Sequence, residues 1–254
     1  MFENLSIGVK TFLRDDKLFR VIEDVCRTLP GAQLIIADCG EMTEEKDSLY
    51  AELEREGHVH IDLPFDSGFG RMSNEIAYRL SRRLLLMASD DFDFSPVEVR
   101  QGIEKLLHVA QHHHEFDVLS GRVNNWPYEF QFWDHGNGFI EEVAQVMPDF
   151  DSDYRRVDLT INYSLIQKDV FKKIRWDDDV KIGGGEHAAW FLDVKQAGFE
   201  VAYVPGVNIN EQTGRDTPRY KMYRRRAQDP DRPCFRKRGI RKYVLGNGVI
   251  DWEA

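Results

Sequence analysis

The stretch Leu84-Leu-Leu-Met-Ala-Ser-Asp-Asp-Phe-Asp-Phe-Ser95, LLLMASDDFDFS, passes from an unbroken apolar run into three acids within four residues, Asp90, Asp91 and Asp93. A short apolar run ending in turn-forming residues is the pattern of a strand buried on both faces. Upstream, LSIGVKTFL, AQLIIADCG and HVHIDLPF read as further strands. The segments between them, DKLFRVIEDVCRTL, SLYAELEREG and SNEIAYRLSRR, read as helices. The order βαβαβαβ predicts a parallel sheet with right-handed crossovers. Ligands of such sheets bind beyond the carboxyl ends of the strands. Asp38, Asp66 and the acids of ASDDFD all fall at strand ends, so they are expected to meet at one rim.

Carboxylates crowded together repel one another. A divalent cation bridging to phosphate oxygens resolves that repulsion, because Mg2+ and Mn2+ are held by one or two carboxylates plus the substrate's phosphates. A solvated Asp turn capping the strand is the competing reading.

Downstream, VEVRQGIEKLLHVAQHHHE carries apolar residues at helical spacing and FDVLSGRV reads as a strand. His112, His113 and His114 are consecutive, so on a helix they point in different directions and do not converge on one metal. The alternating aromatics of NNWPYEFQFWDHGNGF, with Trp126, Tyr128, Phe130, Phe132 and Trp133, predict a half-buried hairpin, serving either core packing or sugar stacking. In VKIGGGEHAAWFLDV the glycines permit a tight turn, and Glu186 and His187 open a helix. A carboxylate there is stabilised as an anion and is ready to accept a proton, or it simply caps the helix.

With 254 residues and 42% hydrophobic content, the chain can bury a core as one large α/β domain or two small ones. Cys26, Cys39 and Cys234 form no CxxC pair, which argues against a disulfide framework or a zinc site. No apolar run is long enough to span a bilayer and no secretory pattern opens the sequence, so a cytoplasmic location is expected. The net charge of −10 argues against indiscriminate binding to nucleic acid or anionic membrane. Against that background, the segment from Arg215 to Lys242 is strongly basic. It reads as a site for a local polyanion, a pyrophosphate or a nucleic acid backbone, or as a solvated helix face with a disordered end. Arg215, Arg219 and Arg224 suit a pyrophosphate, because guanidinium groups match phosphate geometry.

Taken in order, SIGVKTFLR, LIIADCG, LPFDSGFG, LLLMASDDFDF, VDLTINYSLIQKDVFKKIRWDDDVKIGGGEH and AGFEVAYVP resemble the GT-A-fold glycosyltransferases. The likeness is to the family 2-like enzymes akin to the β-1,4-N-acetylgalactosaminyltransferases, over residues 5 to 226. The resemblance implies an α/β fold with a Rossmann-like, mostly parallel central sheet flanked by helices. A single domain over 1–226 is expected, with 1–95 binding the nucleotide-sugar and 96–226 the acceptor, followed by a basic C-terminal extension, 227–254. It implies metal-assisted, inverting transfer of a sugar from a nucleotide-sugar, usually a UDP-sugar, to a hydroxyl of a glycan or other acceptor, with Mn2+ or Mg2+ as cofactor.

On this resemblance Thr11 and Asp38 contact the nucleotide, with Arg14 and Asp66 also at the donor. Asp90 is a ribose or metal partner, Asp91 is the metal ligand, and Glu186 is the base with His187 beside it. A second register, Asp91-Phe92-Asp93, also spells D-x-D and makes Asp93 a ligand. The sequence departs from the family at Ser89, which replaces the first aspartate of the triplet, and at Ala188 and Ala189, which replace an acidic pair. After the next strand, Asn208 and Asn210 occur without a histidine. Two other readings therefore stay open: a non-catalytic nucleotide-sugar-binding protein, and a glycosyltransferase acting on modified DNA bases.

Overall fold

In the computed structural model, which describes residues 2–126, 129–144, 153–181, 185–214, 216–226 and 232–253, LSIGVKT forms a strand buried along its whole length, β1 (Leu5–Thr11). Helix α1 (Asp15–Thr28) follows and buries Leu18, Val21, Ile22 and Val25, one apolar stripe at helical spacing. Next come β2 (Gln33–Asp38), α2 (Glu44–Arg55), β3 (Val59–Asp62), α3 (Phe69–Arg79) and β4 (Leu84–Ser89). The hydroxyl of Thr43 caps α2 by accepting from the Lys46 backbone N–H at 3.2 Å. Strands β2 and β4 flank β1, both parallel to it, with Thr11 opposite Asp38 and Lys10 opposite Ser89. This register brings the carboxyl ends of the three strands to one rim.

The remaining elements are β5 (Phe92–Asp93), α4 (Val97–His112), β6 (Val118–Val123), β7 (Phe130–Gly136), β8 (Phe139–Ala144), β9 (Arg155–Val157) and β10 (Ser164–Gln167), then α5 (Glu186–Gln196), β11 (Val201–Glu211), α6 (Pro218–Arg226), α7 (Pro233–Lys237), β12 (Lys242–Val244) and β13 (Ile250–Glu253). The main sheet runs β3-β2-β1-β4-β10-β6-β11-β5, with β9 also paired to β11. Strand β10 is antiparallel to both β4 and β6, and β5 and β9 are antiparallel to β11, so the sheet is mixed. The βαβ periodicity does not reveal this, because the chain skips the place beside β4 through α4 and fills it later, in reverse, with the four residues of β10. Among the described residues no helix is long and apolar enough to cross a membrane.

Side chains alternate across the sheet, so one core forms on each face. Leu5, Ile7 and Val9 pack with α1 and α4 on one side, while Leu85 and Met87 pack with α3 and α5 on the other. The expected aromatic hairpin is β7–β8, which turns through Gly136, Asn137 and Gly138, all at positive φ. It joins β12 and β13 in a second sheet, ordered β13-β12-β8-β7. Residues 232–253, within the basic extension, thus carry core side chains: Cys234, Phe235, Ile240, Tyr243 and Trp252 are buried in the cluster that holds Trp190 and Phe191 of α5. Tyr128 and residues 227–231 lie outside the described residues.

Candidate functional site

A cleft of about 290 Å³ opens at the carboxyl ends of β1 and β4. Lys10, Thr11, Asp90 and Asp91 form its floor, the start of α3 one wall, Asn162 and Glu211 another, and Tyr220, Tyr223 and Arg224 of α6 its outer edge. The α3 wall depends on LPFDSGFG. A Cβ on Gly70 would lie 2.1 Å from the carbonyl oxygen of Asp177, and one on Gly68, at φ 93°, 2.7 Å from Cα of Lys181. Only glycine lets α3 approach the 176–181 segment so closely, and the Phe69 N–H closes the contact on the Lys181 carbonyl at 2.8 Å.

The electrostatic centre is a guanidinium between two carboxylates. Arg14 Nη1 donates to Asp91 Oδ2 at 2.5 Å and Nη2 donates to Asp90 Oδ1. The guanidinium lies over the Tyr220 ring, 4.5 Å from its centroid. Burial opposes the Arg14 charge, but Asp90 and Asp91 outweigh it and raise its pKa. Asp90 is fully buried, and burial pushes its pKa up to about 6 despite Arg14. The Thr11 hydroxyl lies against this carboxylate and acts to lower its pKa, but neither it nor Asp90 Oδ2 has a partner at full hydrogen-bond geometry. Lys10 stands beside this group over the Phe69 ring, 4.0 Å from its centroid. Burial lowers its pKa to about 7, against the pull of Asp90 and Asp91. Sequence reasoning missed Lys10, although a lone lysine in a wholly buried strand was a legible signal.

The expected site residues divide into several places. Thr11, Arg14, Asp66, Asp90, Asp91 and Arg224 line the cleft, with Asp66 paired to Lys181. Asp38 does not line it: its carboxylate accepts from Tyr50 Oη at 2.7 Å and from the Gly40 N–H at 2.8 Å, and it pairs with buried Lys46 at 2.9 Å, tying α2 to β2. Asp93 turns away and caps Ser95, accepting from its hydroxyl at 2.6 Å and its N–H at 3.0 Å. Arg219 forks onto Glu41 at the surface. Arg215, Gly183 and Gly184 lie outside the described residues. Glu186 opens α5 after Gly185, where a Cβ would come within 3.0 Å of the Phe235 ring, and neither Glu186 nor His187 is among the residues lining the cleft. His187 Nε2 bonds the Thr160 carbonyl, and burial lowers its pKa. That contact steadies the loop whose Ile161 and Asn162 line the cleft.

Tyr220 and Tyr223, also unforeseen, attach α6 to the rim. Phe12, Phe65 and Tyr223 form a triangle with centroids 5.3 to 5.4 Å apart, and Lys17 pairs with Asp216 at 3.0 Å. Their three-residue spacing in PRYKMYRRR was the available signal. Among the described residues no three His, Cys, Asp or Glu side chains converge to hold a metal. A cation at this rim would rest on Asp90, Asp91 and oxygens of a ligand. The pair fits a hard cation in one respect, because Asp90 Oδ2 is a buried acceptor that no donor reaches at full hydrogen-bond geometry.

No protein-family model matches the chain. It is 29% identical to human beta-1,4 N-acetylgalactosaminyltransferase 1 over 119 residues, 47% of this chain and 20% of that protein. It is 28% identical to mouse beta-1,4 N-acetylgalactosaminyltransferase 2 over 127 residues, 50% of this chain and 23% of that one. The chain therefore spans about a fifth of the length of these curated relatives. Among solved structures, GalNAc-T7 with UDP, GalNAc and Mn2+ superposes with a TM-score of 0.63 at 11% identity, covering 83% of this chain and 44% of that one. TarS 1-349 of S. aureus superposes at 0.59 and 11% identity, covering 82% and 60%. A further TarS structure holds UDP. The fold is GT-A-like.

Proposed function

We propose that the protein is an inverting glycosyltransferase that moves a sugar from a UDP-sugar to an acceptor hydroxyl. The observation that carries this reading is the Asp90–Asp91 pair at the end of β4, facing a cleft that also holds Arg14, Lys10 and Arg224. The sequence likeness to glycosyltransferases and the UDP and Mn2+ found in structural neighbours support it. Residues 1–95 supply most of the cleft floor and serve as the donor half, with 96–226 as the acceptor half.

Departure of the nucleoside diphosphate builds negative charge, which cations preplaced around the cleft stabilise. Lys10 on the floor, in its protonated form, and Arg224 at the outer edge are this chain's own contribution. Mn2+ or Mg2+ bound by Asp91 and Asp90 would neutralise the same phosphates. The acceptor proton goes to Glu186. His187 suits that task less well, because its Nε2 is engaged with the Thr160 carbonyl and burial lowers its basicity. His187 acts instead as a positioning residue for the 160–162 loop.

The test is release of UDP from a panel of UDP-sugars with Mn2+ present, with and without hydroxyl acceptors. Glu186→Gln should keep donor affinity and slow transfer by roughly 10²–10⁴-fold, the usual worth of a positioned base. Failure of every UDP-sugar to bind the full chain overturns the donor assignment. If Glu186→Gln is fully active and Glu211→Gln is not, the base is the cleft-lining Glu211.

A further inference from the structure

The guanidinium of Arg14 occupies the position toward which the two carboxylates would draw a metal ion. It spans two side chains rather than forking onto one, with Nη2 on Asp90 and Nη1 on Asp91. The match is incomplete, because Asp90 Oδ2 and Arg14 Nε are both buried without a partner at full hydrogen-bond geometry, the Thr11 hydroxyl making only a weak contact with the Asp90 carboxylate. A buried acceptor left unsatisfied is costly, and a compact ion that accepts several oxygens at once would satisfy it where a planar fork does not. The pair's charge is also better matched by a divalent ion than by one guanidinium. The two cannot occupy the pair together, since their mutual repulsion at such distances in a buried site is strong.

A second position for the guanidinium lies within reach. Asp216 Oδ1 is 4.0 Å from Arg14 Nη1 and is held by Lys17 at 3.0 Å, while the Tyr220 ring lies against the guanidinium. A rotation of the side chain would exchange one carboxylate partner for another without losing the ring.

We propose that Arg14 and a divalent cation exchange at the Asp90–Asp91 pair, the guanidinium holding both carboxylates until the ion displaces it toward Asp216. Arg14 is then a built-in competitor that sets how tightly the cleft takes metal. It also couples metal occupancy to the segment that carries Tyr220 and Arg224. The exchange rests on the nucleotide-sugar reading only for the phosphates that complete the ion's coordination.

The experiment is calorimetric titration of the full chain with Mn2+ alone, followed by titration with UDP in the presence of Mn2+ and in EDTA. Arg14→Gln should tighten Mn2+ binding at least about tenfold, because a competing charge has gone. Arg14→Lys keeps a charge but cannot fork onto two carboxylates, so it should give a smaller gain, and it carries the test if the glutamine variant does not fold. Asp91→Asn should remove Mn2+ binding in either background. Equal or weaker Mn2+ binding by the Arg14 variants overturns the exchange. If UDP binds none of the proteins while the gain in Mn2+ affinity persists, the nucleotide-sugar reading falls and the exchange stands. If UDP binds with Mn2+ but Arg14 makes no difference to the metal, the exchange falls and the reading stands.

Discussion

Two arginines in this molecule each bridge a pair of aspartates, with opposite results. Arg238, after α7, donates from Nε to Asp193 Oδ1 at 2.8 Å and from Nη2 to Asp193 Oδ2. Its Nη1 donates to Asp177 Oδ2 and to the Cys234 carbonyl, each at 2.8 Å. Lys237 reaches the remaining Asp177 oxygen at 3.2 Å, so all four carboxylate oxygens have donors. Burial would raise the Asp177 pKa, yet the Arg238, Cys234 and Lys237 contacts together hold it below the ordinary carboxylate value. At the Arg14 bridge the guanidinium reaches only one oxygen of each carboxylate, leaving Asp90 Oδ2 and Asp91 Oδ1 outside its grip, and Asp90 is pushed up instead. The Arg238 bridge is complete and pins the C-terminal segment to α5. The Arg14 bridge is unfinished and faces a cleft. The same residue types build structure where every valence is met, and on the proposed function they bind ligand where the valences stay open.

The contrast breaks most visibly at the acids. Asp91→Asn should lower turnover by roughly 10²–10³-fold, comparable to removing a preorganised group from a developing charge, with little change in Tm. Asp93→Asn should cost far less, because that carboxylate only caps Ser95. Equal losses in parallel assays would assign the metal to the Asp91-Phe92-Asp93 register.

At the complete bridge the expected loss is stability. Arg238→Ala strands two aspartates, and since the side chain is 15% exposed the cost should be about 2–4 kcal/mol, somewhat below that of a fully buried pair. Denaturant unfolding measures it, and UDP affinity in the folded variant should be unchanged. A coupled loss of UDP affinity would mean that the two bridges are not independent.

A smaller effect is expected at the cleft edge. Arg224→Ala should weaken UDP about tenfold, the worth of one charge-assisted contact, while leaving uridine unaffected. A salt-dependent loss of acceptor binding instead would give this helix to a polyanionic acceptor.

The smallest effect is on pH dependence. Burial lowers the pKa of His187 from its ordinary 6.5, so the unfolded chain takes up a proton that the folded one resists. The part of the stability that depends on His187 is therefore complete above about pH 6.5 and is lost as the pH falls from there through the lowered folded value, while Asp90, raised to about 6, acts in the opposite sense. His58 and His60 shift in the same direction for the same reason. Thermal midpoints between pH 7.5 and 5 should fall less steeply for His187→Asn than for the parent, with part of the slope remaining. An unchanged slope would show that the imidazole titrates alike in both states.

Much of the basic segment that invited a polyanion reading pairs within the molecule. Arg219 meets Glu41, Lys237 and Arg238 meet Asp177, and Arg232 meets Asp251. Charge composition alone could not separate these uses, because a basic run reads the same whether its partners are phosphates or aspartates far away in sequence.

The alternation of strands and helices up to Ser89 was legible because each element buries one face or both, and burial leaves its period in the residues. The rim acids were legible too, since a parallel sheet aligns its carboxyl ends whatever the details. Which acid faces the cleft was not. Asp38 and Asp91 follow equally apolar strands, and only the arrival of Tyr50 and Lys46 from α2 takes the first out of play. The reversed β10, the placing of β12 and β13 beside the aromatic hairpin, and the meeting of Arg14 with Tyr220 likewise join segments distant in sequence. Periodicity records how each segment meets the core. The choice of partner comes from packing and ion pairing between segments, which acquire their energies only once the whole chain has closed.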